Sequence, residues 1–341
     1  MPEGPLRRVL FLVWLLGGYV LLRHFYEQAS LNIEAVDPAQ TGFLGGLGLP
    51  ILLSWIAGGV AAAGLAWIVG RVALGLRSDY FAIATLGISE IMISILKNED
   101  WLTRGVKNVT GLERPVPYEV DLQQSQWFID LVIRLHSADP NQVGEEALQE
   151  MVMSASGVFV KLCYSGLFLT VLLLILGLAA LALNSPWGRM MRAIRDNEIA
   201  AAAMGKDVTN RHRQVFILGS AIIGVAGAML TTLDGQFTPG SYIPLRFTFL
   251  IWVMVIIGGS GNNLGAVLGA FITWFAWIEA EPVALWAVKN LNSFLSEENP
   301  LRQHFIEVAP HLRMVVMGMI LILVLRFRPA GILPEKNTNR T

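Results

Sequence analysis

The sequence predicts an all-α protein, a polytopic bundle of transmembrane helices with about eight spans and both termini in the cytoplasm. Of its 341 residues, 54% are hydrophobic and only 15% are charged, whereas soluble domains carry roughly 25% charged residues. Apolar runs close to the length of about 17 to 25 residues that a helix needs to cross a bilayer recur along the chain. The 33 glycines concentrate in these runs, where small residues let helix backbones approach closely. We expect one membrane-spanning domain over residues 1–341, surrounded by lipid.

The spans follow from the apolar runs in chain order. The first run, 9–22, follows Arg7 and Arg8 and is not followed by a small-residue cleavage site, so we predict an uncleaved span and not a signal peptide. Seven further runs predict the remaining spans, at residues 47–70, 80–96, 157–183, 215–233, 241–257, 264–278 and 312–325.

The distribution of charge predicts the orientation, because basic residues accumulate on the cytoplasmic side of a membrane. The segment 184–214 and the tail after the last span are basic, and both are predicted to be cytoplasmic. The acid-rich segments 113–156 and 279–311 are predicted to be external loops. The formal net charge of −1 gives no cationic surface for nucleic acid, which excludes that class of partner.

No catalytic constellation is present in the sequence. It contains no HExxH pair, no nucleophile elbow and no phosphate-binding GxxxxGK[ST] loop, so we expect neither catalytic residues nor a cofactor. The single cysteine, Cys163, cannot form a disulfide or a cysteine metal site within the chain. We expect no metal site, and any nucleotide that drives the protein would bind to another subunit.

The polar segment 184–214 is the most informative part of the chain. Pro186 and Gly188 open it, an alanine-rich stretch follows, and Gly205 can end a helix there by adopting a positive φ. The pattern predicts one short, rigid helix with a small-residue face between two spans. Two interpretations remain open: an ordinary helix at the membrane interface, or the surface on which a soluble motor docks.

Four ordered motifs resemble the permease subunits of bacterial ABC importers of the branched-chain amino-acid (LIV) type. The first includes Arg192-Ala193-Ile194-Arg195 and Met204-Gly205, within residues 188–205. The others are the entry into a span at 77–90, the Gly258-Gly259-Ser260-Gly261 turn and the end at 326–331. The resemblance covers roughly residues 76–334, apart from the external loops.

The resemblance implies a function and a set of partners. The chain would be the permease subunit of an importer for branched-chain or related amino acids in the bacterial inner membrane, bounded by lipid. Its partners would be ABC ATPase subunits, a homologous second permease subunit and a periplasmic solute-binding protein. The segment that couples to the ATPase would include Arg192, Arg195, Glu198, Ala201 and Gly205. The alternatives are a urea or short-amide ABC importer permease, and a self-contained channel or secondary carrier.

Residues of the predicted translocation path or gate come from two of these motifs, namely Asp79, Thr85, Glu90, Gly258 and Gly261. Glu90 falls near the middle of a span, where a charge is costly. It would either line the path and meet a substrate ammonium group or hold two helices together by a hydrogen bond. Asp79 fits a helix cap better than a ligand, and the glycines fit a tight turn better than a gating hinge.

Outside the membrane, the segment 123–136 carries an apolar stripe of Trp127, Phe128, Leu131, Val132 and Leu135. Such a stripe predicts an amphipathic helix. The helix could lie flat on the membrane, meet a partner, or pack over the mouth of the bundle, and packing is the expected role.

Overall fold

The computed structural model of the protein divides into two compact units, Met1–Ser241 and Tyr242–Thr341. The structure describes residues 13–14, 16–18, 20–21, 24, 50–76, 78–99, 109–110, 112, 114–136, 144–292 and 312–335. Within the predicted first span, 9–22, the described residues 13–14, 16–18 and 20–21 are helical, and the other half of the span lies outside the described residues.

Besides the helical residues between 13 and 24, the described part of the first unit contains these α-helices: α1 (Ile51–Ala73), α2 (Ser78–Asn98), α3 (Glu119–Gln124), α4 (Gln126–Leu135), α5 (Glu145–Asn184), α6 (Pro186–Asp196), α7 (Glu198–Ala203) and α8 (Val208–Asp234). Two short strands, β1 (Val109–Thr110) and β2 (Gln236–Phe237), pair antiparallel, with Val109 opposite Phe237. A 3₁₀ turn at Pro239–Ser241 follows β2.

The second unit contains three described α-helices, α9 (Pro244–Gly258), α10 (Asn263–Asn292) and α11 (Leu312–Phe327). Leu250, Trp277 and Met317, one from each helix, form its buried core. Arg313 of α11 pairs with Glu281 of α10, and its guanidinium carbon lies 5.7 Å from the centroid of the Trp277 ring. An ion pair and a cation–π contact therefore join α10 to α11.

The prediction of an all-α, multi-pass membrane protein is confirmed. Among the described residues, the five helices α1, α2, α5, α8 and α10 are long and apolar enough to cross a membrane. Helices α9 and α11 match predicted spans but have only 15 and 16 residues, so they are shorter than most spanning helices. The total of eight spans stays a prediction, because half of the first span lies outside the described residues.

Two helices extend well beyond the predicted spans. Helix α5 begins at Glu145 and has 40 residues, and α10 continues to Asn292, so parts of the predicted loops 113–156 and 279–311 are helical. The apolar runs mark only the part of a helix that lies in lipid. The stretch before Gly157 is polar but rich in Glu, Gln, Ala, Leu and Met, which favour helix equally well in water.

Helices α1 and α8 pack closely through small residues, as the sequence predicts. A Cβ added at Gly224 of α8 would lie 2.5 Å from the Ala62 Cβ and 2.6 Å from the Gly58 carbonyl oxygen of α1. Near one end of the pair the Trp55 indole donates a hydrogen bond to the Thr232 hydroxyl, 2.9 Å away. Near the other end a Cβ at Gly70 would lie 3.6 Å from the Arg213 Cγ. The two helices are therefore antiparallel.

The polar segments of the first unit lie at opposite ends of these helices. Trp187, at the start of the basic segment, donates a hydrogen bond to Gln214 near the start of α8. At the other end of α8, the Leu112 amide donates to the Gly235 carbonyl and β1 pairs with β2. This arrangement agrees with the orientation predicted from charge.

Adding a methyl group at Gly224 is expected to destabilise the bundle. The Gly224→Ala Cβ would contact backbone and side-chain atoms of α1 well inside van der Waals distance, which typically costs about 1 to 3 kcal/mol. We expect a lower unfolding temperature for the purified protein in a thermal-shift measurement. Gly227→Ala is the matched control, because no atom lies within 4 Å of a Cβ built there. Equal unfolding temperatures for the two variants would contradict the close packing.

Candidate functional site

The basic segment begins with a tight junction between α5 and α6. The Ser185 hydroxyl accepts a hydrogen bond from the Gly188 amide at 3.4 Å, and Pro186 occupies the first turn of α6, which are both standard ways to start a helix. A Cβ at Gly188 would collide with the backbone of Leu183. The chain therefore turns directly from α5 into α6, and Gly188 permits the close approach.

The structure corrects the prediction of one alanine-rich helix. The backbone at Asn197 is extended, with φ −156° and ψ 98°, and separates α6 from α7. The Asn197 side-chain oxygen accepts a hydrogen bond from the Ala200 amide at 2.9 Å. Asn caps helix N-termini strongly because its side chain replaces a missing backbone acceptor. The local cap therefore prevails over the helix propensity of the alanines that follow.

Gly205 ends α7 as predicted. Its φ is +76°, and the Gly205 and Lys206 amides donate to the Ala202 and Ala201 carbonyls, which is the Schellman arrangement. The Asp207 carboxylate then caps α8 by accepting from the Asn210 amide at 3.0 Å. Each described helix end between Ser185 and Asp207 is thus satisfied locally.

A small core holds α6, α7 and the start of α8 together. It consists of Ile194, Ala201 and Val208, with Met190 and Met191 packed against it. Ala201, which the resemblance implies as a coupling contact, is buried here. Its role in this chain is to pack α7 onto α6 and α8, and its side chain does not face outward.

The outer face of the segment carries charge and two exposed apolar side chains. Arg192, Arg195 and Glu198 are exposed, and Arg195 pairs with Asp196 at 3.2 Å. Ile199 is 84% exposed and Met204 is 80% exposed. Sequence reasoning missed both. No sequence signal marks them, because the exposure of Ile199 follows only once Ala201 is known to be buried: residues two positions apart point about 160° away from each other around a helix.

The segment is also fixed to α8. The side-chain oxygen of Gln214 accepts hydrogen bonds from the Trp187 indole at 3.2 Å and from Arg211 at 2.9 Å. A force applied to α6 and α7 would therefore reach both α5, through the Ser185 junction, and α8.

Glu90 lies on the exposed side of α2. None of the α2 residues whose side chains are described is buried, and Gly87, one turn before Glu90, has no atom within 4 Å of an added Cβ. Within the described part of the chain Glu90 makes no hydrogen bond or ion pair, so the hydrogen-bond alternative is not realised there. A role for Glu90 in the translocation path stays a prediction.

The other two predicted residues of α2 are placed differently. The Thr85 hydroxyl lies 3.0 Å from each of the Phe81 and Ala82 carbonyls of its own helix, so its hydrogen-bonding capacity is used locally. Helix α2 begins at Ser78, which puts Asp79 inside the first turn and not before it. The side chain of Asp79 lies outside the described atoms, so its capping role stays a prediction.

In the second unit the glycine turn and the chain end, two separate motifs of the sequence, pack against each other. The Ile332 and Leu333 amides donate to the Ile257 and Gly258 carbonyls, each at 2.9 Å. A Cβ at Gly331 would collide with Gly259, and one at Gly258 would collide with the Gly265 carbonyl.

Gly259 and Gly261 have φ of +115° and +92°, which confirms the tight turn between α9 and α10. Gly258 ends α9, and Gly261 lies in the turn itself. A gating role for Gly258 and Gly261 stays a prediction.

Comparison with known proteins finds relatives that are named as branched-chain amino acid transport permeases. A family profile described as "Branched-chain amino acid transport system / permease component" matches residues 12–325. A probable branched-chain amino acid transport permease protein LivM of Methanocaldococcus jannaschii is 23% identical over 98% of this chain and 81% of its own length. The high-affinity branched-chain amino acid transport system permease protein LivM of Salmonella typhimurium is 24% identical over 81% of this chain and 56% of its own length.

A second kind of relative is also similar. The high-affinity branched-chain amino acid transport system permease protein LivH of Escherichia coli is 26% identical over 94% of this chain and 83% of its own length. No solved structure matches the chain. The family profile covers most of the chain, including α1 to α10 and nearly all of α11. The chain belongs to the family of branched-chain amino acid transport system permease components.

Proposed function

We propose that this chain is a membrane subunit of an ATP-driven importer for branched-chain or related amino acids in the bacterial inner membrane. The observation that carries the proposal is the folded, capped segment α6–α7 on a chain of this permease family. ATP hydrolysis takes place on separate ATPase subunits, and a periplasmic solute-binding protein delivers the substrate. The permease itself catalyses no chemical reaction.

The face of α6–α7 fits an ATPase-docking surface. Its helix ends are satisfied by Ser185, Asn197 and Asp207, so the segment keeps its shape under load. Ile199 and Met204 project from it, and the charged residues Arg192, Arg195 and Glu198 of the same segment are exposed as well. Apolar anchors within a polar rim are the usual composition of an energetic hot spot at a protein interface.

The exposed side chains of α2 support the proposal that a second membrane subunit packs against this helix. The family relatives include proteins named LivM and proteins named LivH, which favours a homologous pair. Helix α2 has no buried residue among its described side chains and carries Glu90 near its middle. Facing lipid with that carboxylate ionised would cost a few kcal/mol. A pore formed with the second subunit would hydrate the carboxylate and let it meet the ammonium group of an amino acid.

Reconstitution tests the proposal against its alternatives. The chain, its neighbouring permease subunit, the ATPases and the binding protein would be placed in proteoliposomes, and uptake of radiolabelled leucine would be measured with and without ATP. We expect ATP-dependent uptake that excess valine or isoleucine inhibits and urea does not. Uptake of urea in preference to leucine would favour a short-amide importer. Uptake by the chain without ATPase subunits would show a channel or carrier.

A further inference from the structure

Helix α4 has two apolar faces, of which only one is buried. Phe128 and Val132 point into the core that α4 forms with α5. Trp127, Leu131 and Leu135 share a neighbouring stripe and remain 56%, 37% and 73% exposed. One face of α4 thus packs against α5, the expected position over the mouth of the bundle stays a prediction, and the second face is unexplained.

The position of α4 along α5 is fixed by several contacts. Phe128 and Val132 share a core cluster with Val152 and Val160 of α5. In the preceding helix α3, the Gln123 side chain donates a hydrogen bond to the Ser156 hydroxyl of α5 at 2.9 Å. The Trp127 and Phe128 rings lie 6.1 Å and 5.4 Å from the Phe159 ring. The depth of α4 in the membrane can therefore be obtained from the depth of these α5 residues.

Lys161 is the last charged residue of α5 before its long apolar run, so we place the start of the hydrocarbon there and not at the start of the predicted span at residue 157. Its side chain is exposed, and a lysine at this position places its ammonium group at the interface. From 162 to 183 the helix carries no charged residue, a length of about 33 Å at about 1.5 Å per residue, close to the roughly 30 Å of a hydrocarbon core. With the Lys161 ammonium group at the interface, Phe159 and the Trp127 ring beside it would lie at the level of the lipid headgroups.

We propose that α4 lies along the membrane surface on that side, with Trp127, Leu131 and Leu135 inserted among the lipid headgroups. Trp at this level is typical of interfacial anchoring, and the two leucines continue the same stripe one and two turns further on. Gln126, Asp130 and Arg134 occupy the adjacent arc and stay in water, where the Gln126 amide donates to the Asp130 carboxylate at 3.2 Å. The lipid surface is the partner of the stripe.

Such an anchor would act on the same helix that leads to α6. Helix α5 is continuous from Glu145 to Asn184, with α4 packed near its start and the Ser185 junction at its end. Lipid contact through α4 would hold α5 at a constant depth while the opposite end is moved.

Depth-dependent fluorescence quenching tests the proposal on the full chain in nanodiscs. With Cys163→Ala to remove the native thiol, a bimane label is placed at Leu131→Cys, at Leu135→Cys or, as control, at Asp130→Cys. We expect lipids with a nitroxide near the headgroup to quench the bimane fluorescence at positions 131 and 135 about two-fold or more strongly than at position 130, as for a helix that lies in the interface plane. A nitroxide deep in the acyl chain should quench them less. Equal quenching at all three positions would overturn the proposal.

Two further measurements separate lipid from other occupants. Aqueous iodide that quenches the Leu135 label as strongly as the Asp130 label would show that the stripe faces water, ready for a soluble partner, and would also overturn the proposal. If Cys163→Ala does not fold, the chain with its native cysteine and the Trp127→Phe variant are compared in brominated lipid. We expect brominated lipid to quench a smaller part of the tryptophan fluorescence in the variant than in the unchanged chain. Equal quenching of the tryptophan fluorescence in the two proteins would contradict the placement of Trp127.

Discussion

Replacing Ile199 and Met204 together by aspartate is expected to reduce ATP-driven uptake sharply, because the ATPase would bind the permease less tightly. Both side chains are among the most exposed apolar groups of the chain and stand on a small packed core. Removing hot-spot anchors costs about 2 kcal/mol or more at an interface, which corresponds to a loss of affinity of about thirty-fold. ATP-driven uptake in proteoliposomes, and co-purification of the ATPase with the permease, should both fall steeply.

The control for this variant is Thr209→Asp. Thr209 is also exposed and lies in the first turn of α8, where a carboxylate is favourable because of the helix dipole. We expect this variant to insert, to bind the ATPase and to transport normally. Full uptake by the Ile199→Asp/Met204→Asp variant, with the variant present in the membrane at normal levels, would rule out α7 as the docking surface.

Replacing Glu90 by glutamine is expected to reduce uptake without preventing assembly. Hydrogen bonds to charged groups contribute about 1.5 to 3 kcal/mol, so losing a contact between the carboxylate and the substrate ammonium would lower transport by about ten-fold to one-hundred-fold. The neutral amide has the same shape and is cheaper to place in a membrane. The measurement is leucine uptake at low concentration, together with the subunit composition of the purified complex.

Two outcomes separate the possible roles of Glu90. Failure of the two permease subunits to co-purify would assign the residue to the subunit interface and not to the path. Normal uptake by a complete complex would remove it from both. Lys97→Gln, which removes a charge from the exposed last turn of the same helix, should leave uptake unchanged in either case.

The helices could be predicted from the sequence because lipid imposes a simple requirement. Each spanning segment must be apolar and must satisfy its own backbone hydrogen bonds, so the seven predicted spans within the described residues all appear as helices. Their ends were less predictable. Helices α5 and α10 run beyond the apolar stretches, since a helix that leaves the membrane continues as long as propensity and capping allow.

The position of the segment 184–214 between two spans could be predicted, but its division into α6 and α7 could not. Gly205 was identifiable because a positive φ at a helix end favours glycine. The break at Asn197 depends on which of two local preferences prevails, the side-chain cap or the alanine helix. Likewise, nothing in the alanine-rich stretch tells that Ala201 is buried while Ile199 is exposed, because a six-residue helix is too short for its periodicity to show.

Composition and apolar run length are enough to identify this chain as an all-α, multi-pass membrane protein, and its motifs resemble one permease family. The first conclusion follows because lipid leaves few alternatives for the backbone. Only the tertiary structure decided which face of each helix is covered. It turned Ala201 inward, left Ile199, Met204 and Glu90 outward, and joined the Gly258 turn to Gly331 at the end of the chain. Such contacts depend on packing between residues distant in sequence, which local patterns do not encode.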